Sequence, residues 1–171
     1  MWWSLFSIRL EHTSMKITSI SKLVISLALP LAVGAIAGIF TASAIPGWYA
    51  TLNQPSFNPP NWLFGPVWTT LYILMGISLY MVWTLAPDKE RNMALMAFGL
   101  QLILNFGWSF FFFYFKTLGF ALIEIVALWT SIVFMLVLFY KIKPVAAYIN
   151  IPYLLWVSFA TVLNAAYYKL N

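Results

Sequence analysis

The amino-acid sequence predicts an all-α integral membrane protein, built as a bundle of five transmembrane helices. Of its 171 residues, 63% are hydrophobic and only 8% are charged, whereas a soluble domain carries about 25% charged residues. Five apolar segments are each long enough for the roughly 20 residues that a spanning helix needs. Their continuous apolarity also excludes a membrane β-barrel, whose strands alternate between lipid-facing and lumen-facing side chains.

The predicted spans follow an N-terminal tail, residues 1–19, which we expect to be interfacial or disordered. Its apolar residues come first and are interrupted by polar ones, unlike a secretory signal. Residues 20–171 then form one five-helix domain. We expect the first span to end before Pro46, because proline ends or kinks a helix. The spans are predicted at 20–42, 64–86, 92–114, 118–140 and 147–169.

An aromatic, uncharged loop separates the first two spans. The stretch from Trp48 to Trp68 holds three Trp and four of the nine Pro, and it contains no Lys, Arg, Asp, Glu or His. Proline fixes φ and restricts the residue before it, so Pro55, Pro59 and Pro60 predict an ordered irregular loop. The loop is either a lid over a pocket for a flat apolar ligand or an aromatic belt at the membrane surface.

The distribution of Lys and Arg predicts the orientation in the membrane. Only Lys116 and Lys169 lie on the side of the aromatic loop. Seven basic residues lie on the other side: Arg9, Lys16, Lys22, Lys89, Arg91, Lys141 and Lys143. The positive-inside rule then places the N-terminus in the cytoplasm of a bacterial cell, with the loop outside. The net charge of +5 is therefore a topology signal, and we expect no nucleic-acid partner.

Polar side chains inside the spans predict an inward-facing surface. Gln101, Asn105 and Trp108 share one face of the third span, and amides turned towards lipid would be costly. These amides either bond neighbouring helices or contact a ligand. Glu124 is the acidic residue of the fourth span, and both a structural and a functional role are open for it.

Small residues and aromatic stripes mark further faces. Gly34 and Gly38 form a G-x-x-x-G pattern, which lets another helix approach closely, in the same chain or in a second copy. At the end of the fifth span, Leu163, Tyr167 and Lys169 fit a loose sterol-binding pattern, although Tyr and Lys are also ordinary interfacial anchors. The chain lacks cysteine, and we find neither a catalytic set nor a metal-ligand cluster.

Three segments resemble the TspO/MBR family, the tryptophan-rich sensory proteins related to the mitochondrial translocator protein or peripheral benzodiazepine receptor. They read WYATLNQPSFNPPNWLFGPVWTTLYILMG, QLILNFGWSFFFF and PYLLWVSFATVLN. The resemblance covers roughly residues 24–169. It implies one five-helix bundle, often paired as a homodimer, with a pocket capped by the first loop. The implied ligands, bound without a resident cofactor, are porphyrins such as protoporphyrin IX and drug-like isoquinoline carboxamides or benzodiazepines.

The resemblance also implies which residues form the pocket. They are Tyr49, Pro59, Trp68, Tyr72, Gln101, Asn105, Trp108, Trp156 and Ala160. Some bacterial members promote light- and oxygen-dependent breakdown of protoporphyrin, and the two tryptophans linked to that activity match Trp68 and Trp156. The chain departs from the eukaryotic sterol motif, because Ala165 and Ala166 stand where that motif places its Tyr.

Three functions are therefore compatible with the sequence. The first is a membrane receptor for tetrapyrroles and similar lipophilic ligands, acting in their transport, in sensing or in stress regulation. The second is a slow porphyrin-degrading enzyme that uses Trp68 and Trp156. The third is a structural membrane partner without a small-molecule ligand.

Overall fold

The computed structural model describes residues 19–171, and all of its regular elements in this range are helical. The prediction for the N-terminal tail lies outside the described residues, apart from Ser19. The elements are α1 (Trp2–Ala44, described from Ser19), a π-helical turn (Ile45–Tyr49), α2 (Asn61–Trp83), α3 (Lys89–Ser109), a second π-helical turn (Phe110–Tyr114), α4 (Leu118–Ile142), α5 (Pro144–Ile149) and α6 (Ile151–Leu170).

Five segments of the described chain are long and apolar enough to cross a membrane. Their bounds are Ser19–Tyr49, Asn61–Trp83, Lys89–Tyr114, Leu118–Ile142 and Pro144–Leu170. The predicted fold class, an all-α bundle of five spans, is confirmed. Each predicted span overlaps one of these segments, and the differences lie at their ends.

The prediction that the first span ends before Pro46 is wrong. Pro46 lies in the π-helical turn that continues α1 as far as Tyr49. Proline is tolerated at the start of a helical turn, where its missing N–H leaves no bond unmade, and the hydrogen-bond register changes at a π-bulge. At the other end of the bundle, α3 begins at Lys89 rather than at residue 92. The Asp88 side chain caps it by accepting a hydrogen bond from the Arg91 backbone N–H at 2.6 Å.

The fifth span is divided into α5 and α6 at Asn150. The Asn150 Nδ2 group donates to Ser78 Oγ at 2.5 Å and to the Ala146 carbonyl at 2.9 Å. Ser78 Oγ in turn donates to the same carbonyl at 2.9 Å. These buried bonds join the α5–α6 junction to α2 near the end of the bundle that lies opposite the aromatic loop.

The helices are arranged around the bundle in the order α1, α2, α5–α6, α4 and α3. α4 packs against α3 on one side and against α5 and α6 on the other, while α1 packs mainly on α2. α2 contacts α5 extensively but makes few contacts with α6. The central core is apolar and includes Met75, Ile132 and Met135, each fully buried. The bundle is therefore tightly closed at the α5 end and less closely packed between α2 and α6.

Two glycines explain how closely α1 approaches α2. A Cβ atom on Gly76 would lie 2.7 Å from the Ser26 carbonyl oxygen and 2.8 Å from Leu27 Cα, both backbone atoms of α1. A Cβ on Gly34 would lie 2.1 Å from the Tyr72 ring. Gly38, by contrast, has open space where its Cβ would be. Of the G-x-x-x-G pair, Gly34 therefore serves packing within the chain, whereas the Cβ position of Gly38 faces open space.

We expect Gly76→Ala to destabilise the bundle, because the new methyl group meets backbone atoms that cannot move without separating α1 from α2. Overpacking of this kind costs about 1–3 kcal/mol, which a lower thermal midpoint in detergent would show. Gly99→Ala on α3 is the matched control, since nothing lies within 4 Å of its Cβ position. Equal midpoints for the two variants would contradict the close α1–α2 contact.

Candidate functional site

A cavity of about 730 Å³ lies within the half of the bundle nearer the aromatic loop. Its volume falls in the range of roughly 300–1,000 Å³ that is usual for small-molecule sites. α1, α2, α3, α6 and both π-helical turns contribute to its walls. The aromatic members of the lining are Tyr49, Trp62, Phe64, Trp68, Tyr72, Trp108, Phe112, Phe113, Trp156 and Tyr167.

The α1 wall of the cavity is made of small residues, and it leaves an opening. Gly34, Ala35 and Gly38 line the cavity without filling it. The exposed members of the lining lie mainly on α1 and α2 and include Ala35, Gly38, Gly65 and Thr69. The cavity therefore opens between these two helices, on a side of the bundle that faces the bilayer.

Six of the nine predicted pocket residues line this cavity. They come from different elements and lie on several of its walls: Tyr49, Trp68, Tyr72, Trp108, Trp156 and Ala160. The remaining three, Pro59, Gln101 and Asn105, are not among its lining residues. The structure thus brings the predicted aromatic residues together and places the two predicted amides elsewhere.

Gln101 and Asn105 lie one layer behind the cavity wall, in a buried chain of hydrogen bonds. Tyr72 donates from its hydroxyl to Asn105 Oδ1 at 2.7 Å, and Asn105 Nδ2 donates to the Tyr153 hydroxyl at 3.1 Å. Tyr153 then donates to Gln101 Oε1 at 2.9 Å. Both amides are almost completely buried. Of the two explanations open from the sequence, this geometry fits bonding between helices.

The same chain orients the aromatic rings of the α2 wall. Trp68 stacks on Tyr72, with ring centroids 5.5 Å apart and an interplanar angle of 26°. It also meets Tyr153 edge-on at 6.3 Å. Because the Tyr72 hydroxyl is bonded to Asn105, the Tyr72 ring has a fixed direction, and Trp68 rests on that ring. Asn105 therefore influences the cavity through Tyr72 without lining it.

Two tryptophans on the opposite walls differ in how they are held. The Trp108 Nε1 group donates to Asn164 Oδ1 at 3.0 Å, so its ring is fixed by a hydrogen bond. Trp156 has ring contacts with Phe64 at 6.0 Å and Phe159 at 5.6 Å, and it packs against the apolar core. Its Nε1 group is buried and has no hydrogen-bond partner among the described residues. The position of the Trp156 ring is therefore set by packing and not by a hydrogen bond.

The loop of residues 50–60 is held to α6 through two tyrosines of the cavity. Tyr167 donates from its hydroxyl to the Tyr49 hydroxyl at 2.7 Å, and Tyr49 donates to Asn58 Oδ1 on the loop at 3.0 Å. Phe57 also packs edge-on against Phe159, with centroids 6.4 Å apart. The loop consequently lies across the end of α6 beside the cavity, while its own residues do not line the cavity.

A reciprocal pair of asparagines forms a second attachment of the loop. The backbone N–H of Asn53 donates to Asn171 Oδ1 at 2.8 Å, and Asn171 Nδ2 donates back to the Asn53 carbonyl at 3.2 Å. Asn53 Nδ2 also donates to the Leu170 carbonyl at 3.2 Å. These residues are 118 positions apart in the sequence, and no local pattern indicates that they meet.

The predicted sterol-pattern residues do not share one surface. Leu163 and Tyr167 face inward and line the cavity, whereas Lys169 is exposed. Phe112, Phe113 and Asn164 also line the cavity, although they are not among the predicted pocket residues. Phe112 and Phe113 lie in the second π-helical turn, where helical spacing no longer predicts direction. The sequence shows Asn164 as a polar residue in an apolar span, but it does not show that Asn164 accepts a hydrogen bond from Trp108.

Glu124 is a residue of α4 whose side chain points towards α3. It is not among the residues that line the cavity. Both of its carboxyl oxygens are buried and have no hydrogen-bond partner among the described residues. A Cβ atom on Gly107 would lie 3.2 Å from Glu124 Oε1, so the glycine leaves the room that this carboxyl group occupies. Glu124 therefore fills the α3–α4 interface and does not contribute to the walls of the candidate site.

Together, these features define a class: a five-span helical membrane protein with an aromatic, ligand-sized cavity beside an anchored loop. The chain belongs to the TspO/MBR family, whose family model matches residues 26–169. It is 42% identical to the tryptophan-rich protein TspO of Chlorobaculum tepidum over 153 residues, covering 89% of this chain and 97% of the relative. It is 39% identical to the human translocator protein over 128 residues, covering 72% and 75%. The tryptophan-rich sensory protein of Cereibacter sphaeroides is 34% identical, covering 72% and 77%.

We expect Asn171→Ala to loosen the loop, because it removes both side-chain bonds between Asn171 and Asn53. Each hydrogen bond of this kind contributes about 0.5–1.5 kcal/mol, and two contribute about 1–3 kcal/mol, so amide hydrogen exchange in residues 52–58 should accelerate about 5- to 150-fold. Asn92→Ala, at an exposed position near the start of α3, is the control and should leave this exchange unchanged. Unaltered exchange in Asn171→Ala would show that the asparagine pair does not hold the loop.

Proposed function

We propose that this protein binds planar lipophilic ligands of the porphyrin class, such as protoporphyrin IX, in the cavity between α1, α2, α3 and α6. The observation that carries the proposal is the cavity itself, about 730 Å³ in volume and walled by tryptophan and tyrosine from several helices. Aromatic walls give a flat conjugated ligand large contact areas and stacking partners. The biological role that follows is tetrapyrrole transport, sensing or stress regulation, with the porphyrin as ligand rather than cofactor.

The few polar groups of the cavity suit the polar edge of such a ligand. The hydroxyls of Tyr49 and Tyr167 stand at the loop end of the same space. A mostly apolar site with a small number of placed polar groups is the usual composition of a small-molecule pocket. The opening between α1 and α2 gives a lipophilic ligand access from the bilayer.

The names of relatives support a role in sensing or translocation. One relative is called a tryptophan-rich sensory protein and another a translocator protein. We carry these roles to the present chain as part of the proposal. By the same resemblance we propose that it acts as a homodimer in the cell membrane.

A second candidate function is light- and oxygen-dependent breakdown of the bound porphyrin, with the porphyrin oxidised and dioxygen reduced. The observation that favours it is that Trp68 and Trp156 both line the cavity, so each can contact the same ligand. This activity requires product to form only under light and air. It also requires the rate to fall in Trp68→Phe/Trp156→Phe while the porphyrin still binds.

We expect protoporphyrin IX to quench the tryptophan fluorescence of the purified protein saturably, at roughly micromolar concentration. Trp68→Ala and Trp156→Ala should each weaken binding about 5- to 100-fold, because each loses stacking and leaves part of the cavity unfilled. Asn105→Ala should act in the same direction by releasing Tyr72. The absence of saturable quenching in the wild type would contradict the proposal.

Trp83→Ala is the control for these variants. Trp83 lies at the opposite end of α2, where the Lys22 ammonium group is 5.9 Å from its ring centroid, and it does not line the cavity. Its removal should change the porphyrin affinity little. If Trp83→Ala weakens binding as much as Trp68→Ala, the ligand does not occupy the cavity near the loop.

The proposed orientation, with the N-terminus in the cytoplasm, can be tested by thiol labelling because the chain has no cysteine. Lys116 and Lys169 lie at the loop end of the bundle, whereas Lys22, Lys89 and Lys141 are among the basic residues at the other end. Ser56→Cys should react with an impermeant maleimide on intact cells, and Asn92→Cys should react only after lysis. The reverse pattern would overturn the orientation that the basic residues predict.

A further inference from the structure

A groove of about 560 Å³ lies on the outer surface of the bundle, between α2 and α6. α2 contributes Pro66, Thr70 and Leu74 to it, and α6 contributes Leu155, Trp156 and Phe159. The groove exists because α2 packs closely on α5 but makes few contacts with α6. We propose that it binds one acyl chain of a bilayer lipid, and that this chain sets the position of Trp156 in the cavity wall.

The chemistry of the groove selects an apolar occupant. Its lining carries no charged side chain, and its polar groups are the Thr70 hydroxyl and the indole N–H of Trp156, which is itself buried. The Thr70 hydroxyl already donates to the Pro66 carbonyl at 2.9 Å, so it offers no free donor to a headgroup. A headgroup, a peptide backbone or a water-soluble ligand would leave its own polar groups unpaired there, which is costly in an apolar setting.

The direction and length of the groove fit a lipid chain. From Pro66 to Leu74, α2 rises about 12 Å at 1.5 Å per residue, and one leaflet contributes about half of the roughly 30 Å hydrocarbon core. The groove runs along two membrane-spanning helices, as acyl chains do. On α2 the groove occupies the half nearer the aromatic loop, and on α6 it extends to Pro152, beside the α5–α6 junction.

The driving force for occupancy is packing rather than the hydrophobic effect. An acyl chain gains no hydrophobic free energy on moving from lipid to an apolar protein surface. An unfilled groove, however, forfeits dispersion contacts along both of its walls. Leu71 is buried at the base of the groove, and Leu155 stands exposed at its rim, so a single chain can contact both walls at once.

Trp156 connects the groove to the cavity. It lines both the groove and the cavity, so it lies between the two spaces. Because its Nε1 group has no hydrogen-bond partner among the described residues, a shift of the ring breaks no hydrogen bond. It changes packing contacts, including those with Phe64 and Phe159. A chain in the groove presses Trp156 towards the cavity, whereas an unfilled groove lets it retreat. This coupling to ligand affinity rests on the proposed function, but occupancy of the groove does not.

Occupancy is tested by native mass spectrometry of the delipidated protein titrated with dioleoylphosphatidylcholine. Thr70→Trp fills the groove and should weaken binding of the first lipid about tenfold. Thr130→Trp is the matched control, because Thr130 is an exposed threonine on α4 whose hydroxyl bonds the Val126 carbonyl at 2.9 Å, as that of Thr70 bonds Pro66. Equal lipid binding by the two variants would overturn the acyl-chain site.

A second pair of variants approaches the groove from α6. Leu155→Trp should weaken the first lipid-binding step in the same way as Thr70→Trp, whereas Leu100→Trp, at an exposed leucine on α3, should not. Circular dichroism and gel filtration identify any variant that fails to fold. Loss of lipid in all four variants would assign the effect to added bulk at any lipid-facing position and would also overturn the proposal.

The coupling through Trp156 is tested by measuring protoporphyrin IX affinity in nanodiscs of dioleoyl- and didecanoylphosphatidylcholine. The wild type and Thr130→Trp should show different affinities in the two lipids, and Thr70→Trp should show the same affinity in both. An equal lipid dependence in Thr70→Trp would overturn the coupling. If no form binds porphyrin while Thr70→Trp still loses lipid, the proposed function fails and the acyl-chain site stands. If porphyrin binds but Thr70→Trp and Thr130→Trp bind lipid equally, the acyl-chain site fails and the proposed function stands.

Discussion

One chain of buried hydrogen bonds joins α2, α3 and α6 at the centre of the bundle, and the cavity depends on it. Lipid supplies no hydrophobic force between helices, so packing and bonds of this kind hold them together. Interhelical hydrogen bonds in membranes contribute about 0.6 kcal/mol on average and at most about 1.7, so three bonds give about 2–5 kcal/mol. The chain ends on the Tyr72 hydroxyl. Because the Tyr72 ring lies over Gly34 and under Trp68, these bonds also determine the α1 and α2 walls.

Much of this architecture could be predicted from residue types alone. The five spans follow from apolar length, since the bilayer excludes other backbone arrangements. The inward face of α3 follows from the cost of turning Gln101 and Asn105 towards lipid. Trp68, Tyr72 and Trp156 were placed by resemblance and by helical spacing, and the structure brings them to one cavity. In these cases a local pattern and the environment of the membrane lead to the same answer.

The features that escaped prediction depend on non-local contacts or on changes of helical register. Pro46 suggested the end of a helix, but a π-helical turn carries the first span past it to Tyr49. A second such turn directs Phe112 and Phe113 into the cavity. A buried amide side chain can form its hydrogen bonds equally well with a ligand or with a neighbouring tyrosine. The sequence therefore cannot show that Asn105 bonds Tyr72 and Tyr153, whereas the fold does. The Asn53–Asn171 pair likewise joins two residues 118 positions apart in the sequence, which no local pattern relates.

The break between α5 and α6 lies at the point where the fifth span is hydrogen-bonded to α2, and a rotation of α6 relative to α2 would turn about this point. Asn150 and Ser78 hold α2 to the fifth span at one end, and beyond this point α2 and α6 make few contacts with each other. The groove and the cavity lie along this stretch. A small rotation of α6 about the Asn150–Ser78 contact would displace the end of α6 near the aromatic loop the most. It would displace the opposite end, near α5, the least. For the proposed ligands, such a rotation would change the width of the cavity and leave the Asn150–Ser78 contact and the packed core beside it in place.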